Sequence, residues 1–219
     1  MSVEGVGLLE PYANGLLLCL GLIAAIGAQN SYVLRQGLKR EHHWIVAAVC
    51  TLSDFALILL GTNGLGAFIA RVAWLEYTFY FFGAAFLAAY ARNALGDAWR
   101  GGQTMGLGNG LPRQSRRRTI AAALGFTWLN PHAWLDTTVL VGAFSVQYAG
   151  ASHWAFTAGA MSASMIWFYS ISLLAARLSP WLTRPAAWRI INVVIGVVMA
   201  YVGTRFLLAG LVGVRHLLG

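Results

Sequence analysis

Apolar stretches of about 20 residues recur along the whole chain, and this feature limits its fold more than any other. Each stretch is long enough to cross roughly 30 Å of hydrocarbon as a helix. Of all residues, 58% are hydrophobic and only 10% are charged, whereas a soluble domain carries about 25% charged residues. A chain this apolar could not cover a water-exposed surface, so the sequence predicts a multi-pass membrane protein.

We predict an all-α fold with six membrane spans. Helices are expected because an unpaired backbone amide or carbonyl group is too costly in lipid, and the alternation typical of barrel strands is not seen. The spans are predicted at residues 12–34, 44–70, 73–95, 119–147, 154–176 and 188–211, and the first could continue to Leu38.

The basic residues indicate how these spans are oriented. All but three of the 15 Lys and Arg residues fall in connections on one side, the exceptions being Arg71, Arg205 and Arg215. Because Lys and Arg accumulate on the cytoplasmic side of membrane proteins, that side is predicted to be the cytoplasm, with both termini outside. The N-terminus has no basic region typical of a cleavable signal peptide. The net charge of +8 is therefore attributed to topology, and no nucleic-acid partner is expected.

A segment rich in Gly and Arg, residues 97–118, divides the chain into two parts. We predict that it is a cytoplasmic linker between residues 1–96 and 119–219, each of which holds three spans. Because three is odd, the second part must enter the membrane from the opposite side. This is the arrangement of the inverted repeats common in secondary transporters.

Two aspartates, Asp54 and Asp136, lie inside predicted spans. A charged side chain at mid-helix costs about 3 kcal/mol on insertion scales, and no basic residue lies at a depth where it would neutralise both. The two carboxylates are therefore expected to face a wet cavity, bind a cation or hold a proton. A protonated aspartate that bonds across helices for structural reasons is the alternative for each.

Two predicted spans contain helix breaks at similar depth. The first holds Gly27-Ala28-Gln29-Asn30, and the fourth holds Thr127-Trp128-Leu129-Asn130-Pro131-His132. Asn130 suits an N-cap position and Pro131 suits the first helical position. Helix N-termini inside the membrane favour a carboxylate, and such breaks often mark a transport site. A plain proline kink without a ligand is the alternative for the fourth span.

Together these features predict a site that binds both signs of charge, as a basic amino acid requires. His132 lies four residues before Asp136 and could relay protons or merely pack. Trp128, Trp134 and Trp167 could form a cation–π wall or belong to the core. The predicted substrate-binding and coupling residues are Asp54, Asp136, Gln29, Asn30, Asn130, Pro131, His132 and Trp128.

Several of these motifs together resemble a known family. They are Gly27-Ala28-Gln29-Asn30, residues 35–40, Leu52-Ser53-Asp54, residues 127–132 with Leu135-Asp136, and residues 189–192. In this order they resemble the lysine/arginine exporter family of bacteria, the LysE type, and look closest to its arginine-exporting branch. The resemblance covers nearly the whole chain.

The resemblance implies secondary-active export of L-arginine or L-lysine across the bacterial inner membrane, driven by the membrane potential or a proton gradient. It implies no organic cofactor, and it makes Asp54 and Asp136 the family's paired intramembrane aspartates. The family usually has a proline in the first break where this chain has Ala28. Alanine is the best helix former, so the first break is expected to be less strongly enforced.

Other functions fit parts of the pattern. A neutral amino-acid exporter would not need two buried acids, and a divalent-cation exporter would want more oxygen ligands than two aspartates supply. A membrane thiol oxidoreductase would need Cys19 and Cys50 to meet, although both are expected to be buried small hydrophobes. A structural membrane protein would not need the helix breaks. Gly61, Gly64, Gly196 and Gly203 could serve internal packing or a homodimer face.

Overall fold

The computed structural model describes residues 3–24, 27–65, 73–99, 115–179 and 185–218. All regular structure within these ranges is helical, which confirms the all-α prediction. The helices are α1 (Val3–Ile23), α2 (Ala28–Lys39), α3 (His43–Leu60), α4 (Ala73–Trp99), α5 (Arg116–Trp128), α6 (131–145), α7 (Gly150–Leu178) and α8 (Pro185–Leu218). A π-helical turn, Gly61–Leu65, follows α3, and α6 has a π-helical middle at Trp134–Leu140.

Three helical segments are long and apolar enough to cross a membrane alone, namely His43–Gly64, Gly150–Leu178 and Arg189–Arg215. The bent pair of α1 and α2 makes a fourth if its two parts form one span. The described residues thus establish three or four candidate spans of the six predicted. The predicted third span, α4, is rich in aromatic residues and carries charges, and the predicted fourth is divided between α5 and α6.

The described surface is apolar while many interior side chains are polar. Leu17 and Leu52 are each 65% exposed, whereas Asp54 is 2% exposed and Ser164 is fully buried. A soluble protein places its residues the other way round. This distribution fits a protein that is surrounded by lipid and has a polar interior.

Glycines bring several helices into close contact. Gly15 of α1 lies against the backbone of Phe156 in α7, and Gly159 of α7 lies against the backbone of Tyr12. Gly61 meets the backbone of Thr138 in α6 in the same way. A Cβ atom at any of these glycines would collide with a carbonyl group, so small residues are required where membrane helices cross this closely.

The neighbours of each helix follow a paired pattern. The bent pair of α1 and α2 packs against α7, and the broken pair of α5 and α6 packs against α3. The helices α4 and α8 pack along each other, as do α3 and α7. Exchanging the first three predicted spans for the last three reproduces the same set of contacts.

Candidate functional site

The first helix break separates α1 from α2. Helix α1 ends at Ile23, and α2 begins at Ala28 with Gly27 in the N-cap position. The two helices are bent by 83° relative to each other. The side-chain amide of Asn30 donates a hydrogen bond to the carbonyl oxygen of Ile23 at 2.7 Å, and so satisfies an acceptor at the open end of α1. The predicted break is confirmed, although Ala28 occupies the place of a proline.

The second break separates α5 from α6. Asn130 is the N-cap, and its side-chain oxygen accepts a hydrogen bond from the backbone N–H of His132 at 3.1 Å. Pro131 occupies the first helical turn, so the predicted restart of the helix is confirmed. The indole N–H of Trp134 donates to the carbonyl oxygen of Trp128 at 2.9 Å. At both breaks, a side chain from the second helix therefore donates a hydrogen bond to a carbonyl oxygen at the end of the first helix.

Both breaks open on one cavity of about 200 Å³. Its lining comes from the end of α1, the starts of α2 and α6, Asp54 of α3, Phe168 of α7, and Val202 and Phe206 of α8. The cavity could hold several water molecules, each with a volume of roughly 30 Å³. It brings together most of the predicted site residues, namely Gln29, Asn30, Asp54, Asn130, His132 and Asp136.

Trp128 and Pro131 do not line this cavity. The indole N–H of Trp128 donates to the hydroxyl of Ser53 at 3.2 Å, which ties α5 to α3. The Trp128 ring also meets Trp134 edge-on at 5.6 Å. The indole of Trp167 donates to the side-chain oxygen of Asn30 at 3.0 Å. These tryptophans hold the site together, which fits the core-packing alternative for them better than a cation–π wall.

Asp54 is the most buried polar residue among those that line the cavity. The hydroxyl of Ser164 on α7 donates to one oxygen of its carboxylate at 2.8 Å, and both residues are shielded from solvent. Burying a charge is costly unless it gains hydrogen bonds or a counter-ion. Asp54 is thus placed where the arrival of a cation or a proton is strongly favoured.

Asp136 has a more open environment. It is half-buried on the π-helical stretch of α6, and it lines the cavity together with His132. The exposed His132 ring stacks on Phe206 at 5.1 Å with an interplanar angle of 14°. Short π-helical segments are frequent at functional sites because they redirect a side chain. The two aspartates therefore reach one cavity from positions of different burial, Asp54 from the interior and Asp136 from a less buried position.

Several residues of the site were not assigned to it from the sequence. A serine in an apolar span, such as Ser164, is typical of close helix packing, and the sequence predicts Thr127 only as part of the second break. Thr127 nevertheless accepts a hydrogen bond from the side-chain amide of Gln29 at 3.0 Å. Phe168 and Phe206 supply the aromatic lining of the cavity, whereas Trp128, Trp134 and Trp167 do not line it. A small polar residue inside an apolar span was the only available signal for Ser164 and Thr127, and the two phenylalanines carried none.

The cysteines and the potential metal ligands bear on two of the alternative functions. Cys19 and Cys50 are both free and buried, and they belong to different clusters of core residues. No group of three His, Cys, Asp or Glu residues in those ranges could hold a metal ion together. Nothing in this part of the chain favours the thiol or metal alternatives.

Comparison with known proteins gives a consistent result. The family described as LysE type translocator matches residues 20–210. A protein named Arginine exporter protein ArgO from Yersinia enterocolitica is 40% identical over 204 residues, covering 93% of this chain and 99% of that protein. The proteins of the same name from Pectobacterium carotovorum and Klebsiella pneumoniae are 39% identical over 188 residues (86% of this chain, 92% of that protein) and 38% identical over 208 residues (94% and 98%). No solved structure matches the chain.

Proposed function

The chain belongs to the LysE type translocators, and we propose that it exports basic amino acids, L-arginine or L-lysine, across the bacterial inner membrane. The observation that carries this proposal is that both helix breaks and both aspartates open on one cavity. Three relatives that share most of the chain's length are named arginine exporters, which supports arginine as the first substrate to test.

Each charged group of such a substrate has a partner of opposite sign in the cavity. The first N–H groups of α2 have no acceptor within the helix, and its N-terminus carries a partial positive charge, so it favours the substrate carboxylate. Asp54 and Asp136 favour the two cationic groups. A neutral amino acid would leave one buried carboxylate without a counter-charge.

We propose that the architecture is two inverted repeats of three spans each. In support, Gly27 and Asn130 are N-caps at the two breaks, and Ala28 and Pro131 begin the helices that follow. The paired pattern of helix contacts also agrees with this symmetry. Most of the predicted linker at 97–118 lies outside the described residues, so the division into repeats at that segment stays a prediction.

The transport cycle proposed here exchanges a cationic substrate for protons. Substrate enters from the cytoplasm and binds with its side-chain cation near Asp54 or Asp136. Outward release follows when a proton from outside neutralises an aspartate, because the neutral carboxyl group no longer attracts the cation. His132 is exposed and lines the same cavity as Asp136, which supports a role for it in passing that proton.

Efflux from proteoliposomes tests the proposal. Vesicles loaded with radiolabelled arginine, lysine or leucine are compared with and without an acidic exterior. The wild-type protein is expected to release arginine and lysine but not leucine, and faster when the exterior is acidic. Asp54→Asn is expected to slow basic amino-acid efflux by roughly tenfold or more, since an interaction with a charged group is worth about 1.5–3 kcal/mol.

Glu41→Gln provides the matched control, because it also removes one carboxylate but lies in the turn between α2 and α3. Leucine release, or equal arginine efflux from the Asp54 and Glu41 variants, would refute the proposed substrate and the role of Asp54. Efflux that is indifferent to external pH would refute proton coupling alone.

A further inference from the structure

An aromatic cluster lies directly beside the cavity and consists of Tyr32, Phe86, Tyr90 and Phe126. Tyr32 of α2 stacks on Phe126 of α5 at 4.7 Å. Tyr90 and Phe86 of α4 each meet Phe126 edge-on at 4.8 Å. Tyr32 and Phe126 are at most 1% exposed. The aromatic cluster thus joins α2, α4 and α5 through contacts between aromatic rings.

Polar contacts reinforce the aromatic cluster. The hydroxyl of Tyr32 donates to the carbonyl oxygen of Thr119 at 3.1 Å, which ties α2 to the beginning of α5. Arg35 donates to the hydroxyl of Tyr90 at 2.8 Å, and its guanidinium lies 5.6 Å from the centre of that ring. Arg35 is predicted to lie in a connection, or within the first span if that span continues to Leu38. It lies within α2 and is only 7% exposed.

The position of the aromatic cluster follows from the direction of its helices. Helix α2 meets the cavity with its first residues and ends at Lys39, and α5 begins at Arg116 and ends at the second break. The cluster residues lie between these basic ends and the cavity. In the orientation predicted from the basic residues, the basic ends face the cytoplasm. The cluster therefore fills the space between the cavity and the cytoplasm.

We propose that the aromatic cluster and Arg35 form the cytoplasmic gate of the transporter, and that this structure has the gate closed. The inference rests on the proposed function for the direction of transport. A substrate from the cytoplasm cannot reach Asp54 past side chains that are this tightly packed, so α2 and α5 must separate to admit it. The break at Gly27 frees α2 from α1, which allows α2 to move while α1 stays packed on α7.

A native cysteine reports on this gate. Cys50 lies in α3, one helical turn before Asp54, and is fully buried in the same core cluster as Tyr32. It is within hydrogen-bonding reach of Gln29 and Thr127, whose side chains bond to each other and so link α2 to α5. The sequence contains only 2 cysteines. Replacing Cys19 by alanine leaves Cys50 as the single thiol behind the gate.

The experiment measures the labelling rate of Cys50 in the Cys19→Ala protein by a charged, membrane-impermeant methanethiosulfonate reagent. Inside-out and right-side-out vesicles present the cytoplasmic and outer faces separately. Tyr90→Ala is expected to accelerate labelling from the cytoplasmic face by roughly 2- to 12-fold, because one aromatic contact is worth about that factor in an equilibrium constant. Labelling from the outer face is expected to stay unchanged.

Tyr201→Ala is the matched control. Tyr201 lies on the exposed face of α8, where it accepts a hydrogen bond from Arg205 at 3.1 Å with the guanidinium 5.9 Å from its ring. The control therefore removes the same kind of arginine–tyrosine contact away from the aromatic cluster. If Tyr90→Ala fails to assemble in the membrane, Tyr32→Phe keeps the ring, removes the bond to Thr119, and is expected to change labelling in the same direction.

Equal labelling rates in the Tyr90 and Tyr201 variants would overturn the proposal, and so would acceleration from the outer face. The readout needs no substrate. A protein that does not release arginine would refute the proposed function without affecting the labelling result, and normal arginine efflux with unchanged labelling would refute the gate alone.

Discussion

At the scale of single residues, Asp54 depends on a neighbour that comes from another part of the chain. Its carboxylate accepts a hydrogen bond from the hydroxyl of Ser164, with 2.8 Å between the two oxygen atoms, in the interior of the protein. A hydrogen bond to a buried charge is worth more than one at the surface, since water cannot replace it. Ser164 is therefore expected to orient Asp54 towards the cavity and to stabilise its ionised form.

We predict that Ser164→Ala slows arginine efflux by about tenfold, which corresponds to about 1.4 kcal/mol. Ser162→Ala on the same helix is the control, because the Ser162 hydroxyl donates to the carbonyl oxygen of Ala158 within α7. Ser164→Thr restores a hydroxyl and is expected to recover part of the rate. Efflux that falls equally in the Ser162 and Ser164 alanine variants would show that Ser164 acts through packing instead.

The sequence located the aspartates but not their surroundings. Asp54 and Asp136 stand out because a carboxylate in an apolar span is energetically costly and a purely structural helix does not need one. Ser164, Phe168 and Phe206 do not stand out, because serine is common at helix crossings and phenylalanine is common everywhere in a membrane span. Their roles arise from long-range packing, which periodicity along one helix does not contain.

At the scale of elements, the two breaks reach the same geometry from different residues. Pro131 prevents the helix from continuing through Asn130, and this break was predicted correctly in position and capping. Ala28 imposes no such restriction, yet α1 and α2 are still separate helices. The first break is maintained by Gly27 at the N-cap and by the bond from Asn30 to Ile23. The π-helical stretches gave no recognisable sequence signal.

We predict that Ala28→Pro stabilises the protein by about 0.4–1 kcal/mol and preserves efflux. Proline suits the first position of a helix and restricts the unfolded chain. Ala47→Pro is the contrasting variant, since Ala47 lies inside α3 and proline within a helix costs about 3 kcal/mol. Thermal unfolding in detergent measures both. A lower unfolding temperature for Ala28→Pro would mean that the backbone at Ala28 is not that of a first helical residue.

At the scale of the whole molecule, the distribution of polarity and charge decides how the protein sits in a membrane. Apolar side chains cover the described surface, and the polar residues gather around one interior cavity. The sequence could predict this general arrangement because lipid allows few alternatives to a helical bundle. The number of spans is harder to predict. Mean hydropathy alone does not recognise an aromatic helix such as α4, or a broken one such as the pair of α5 and α6, as a span.

The predicted topology has a direct test in reporter fusions. Alkaline phosphatase folds only outside the cytoplasm, where its disulfides form. Fused after Gly219, it is expected to be active, because an even number of spans brings the C-terminus back to the outer side. Fused after Gly106, within the basic linker, it is expected to be inactive, and a green fluorescent protein at the same two positions should give the reverse pattern. Because the basic residues are concentrated on the linker side, their effect on topology should be strong. Phosphatase activity at both positions would mean that an even number of spans, not three, lies between them, and the two halves could not then be inverted copies of each other.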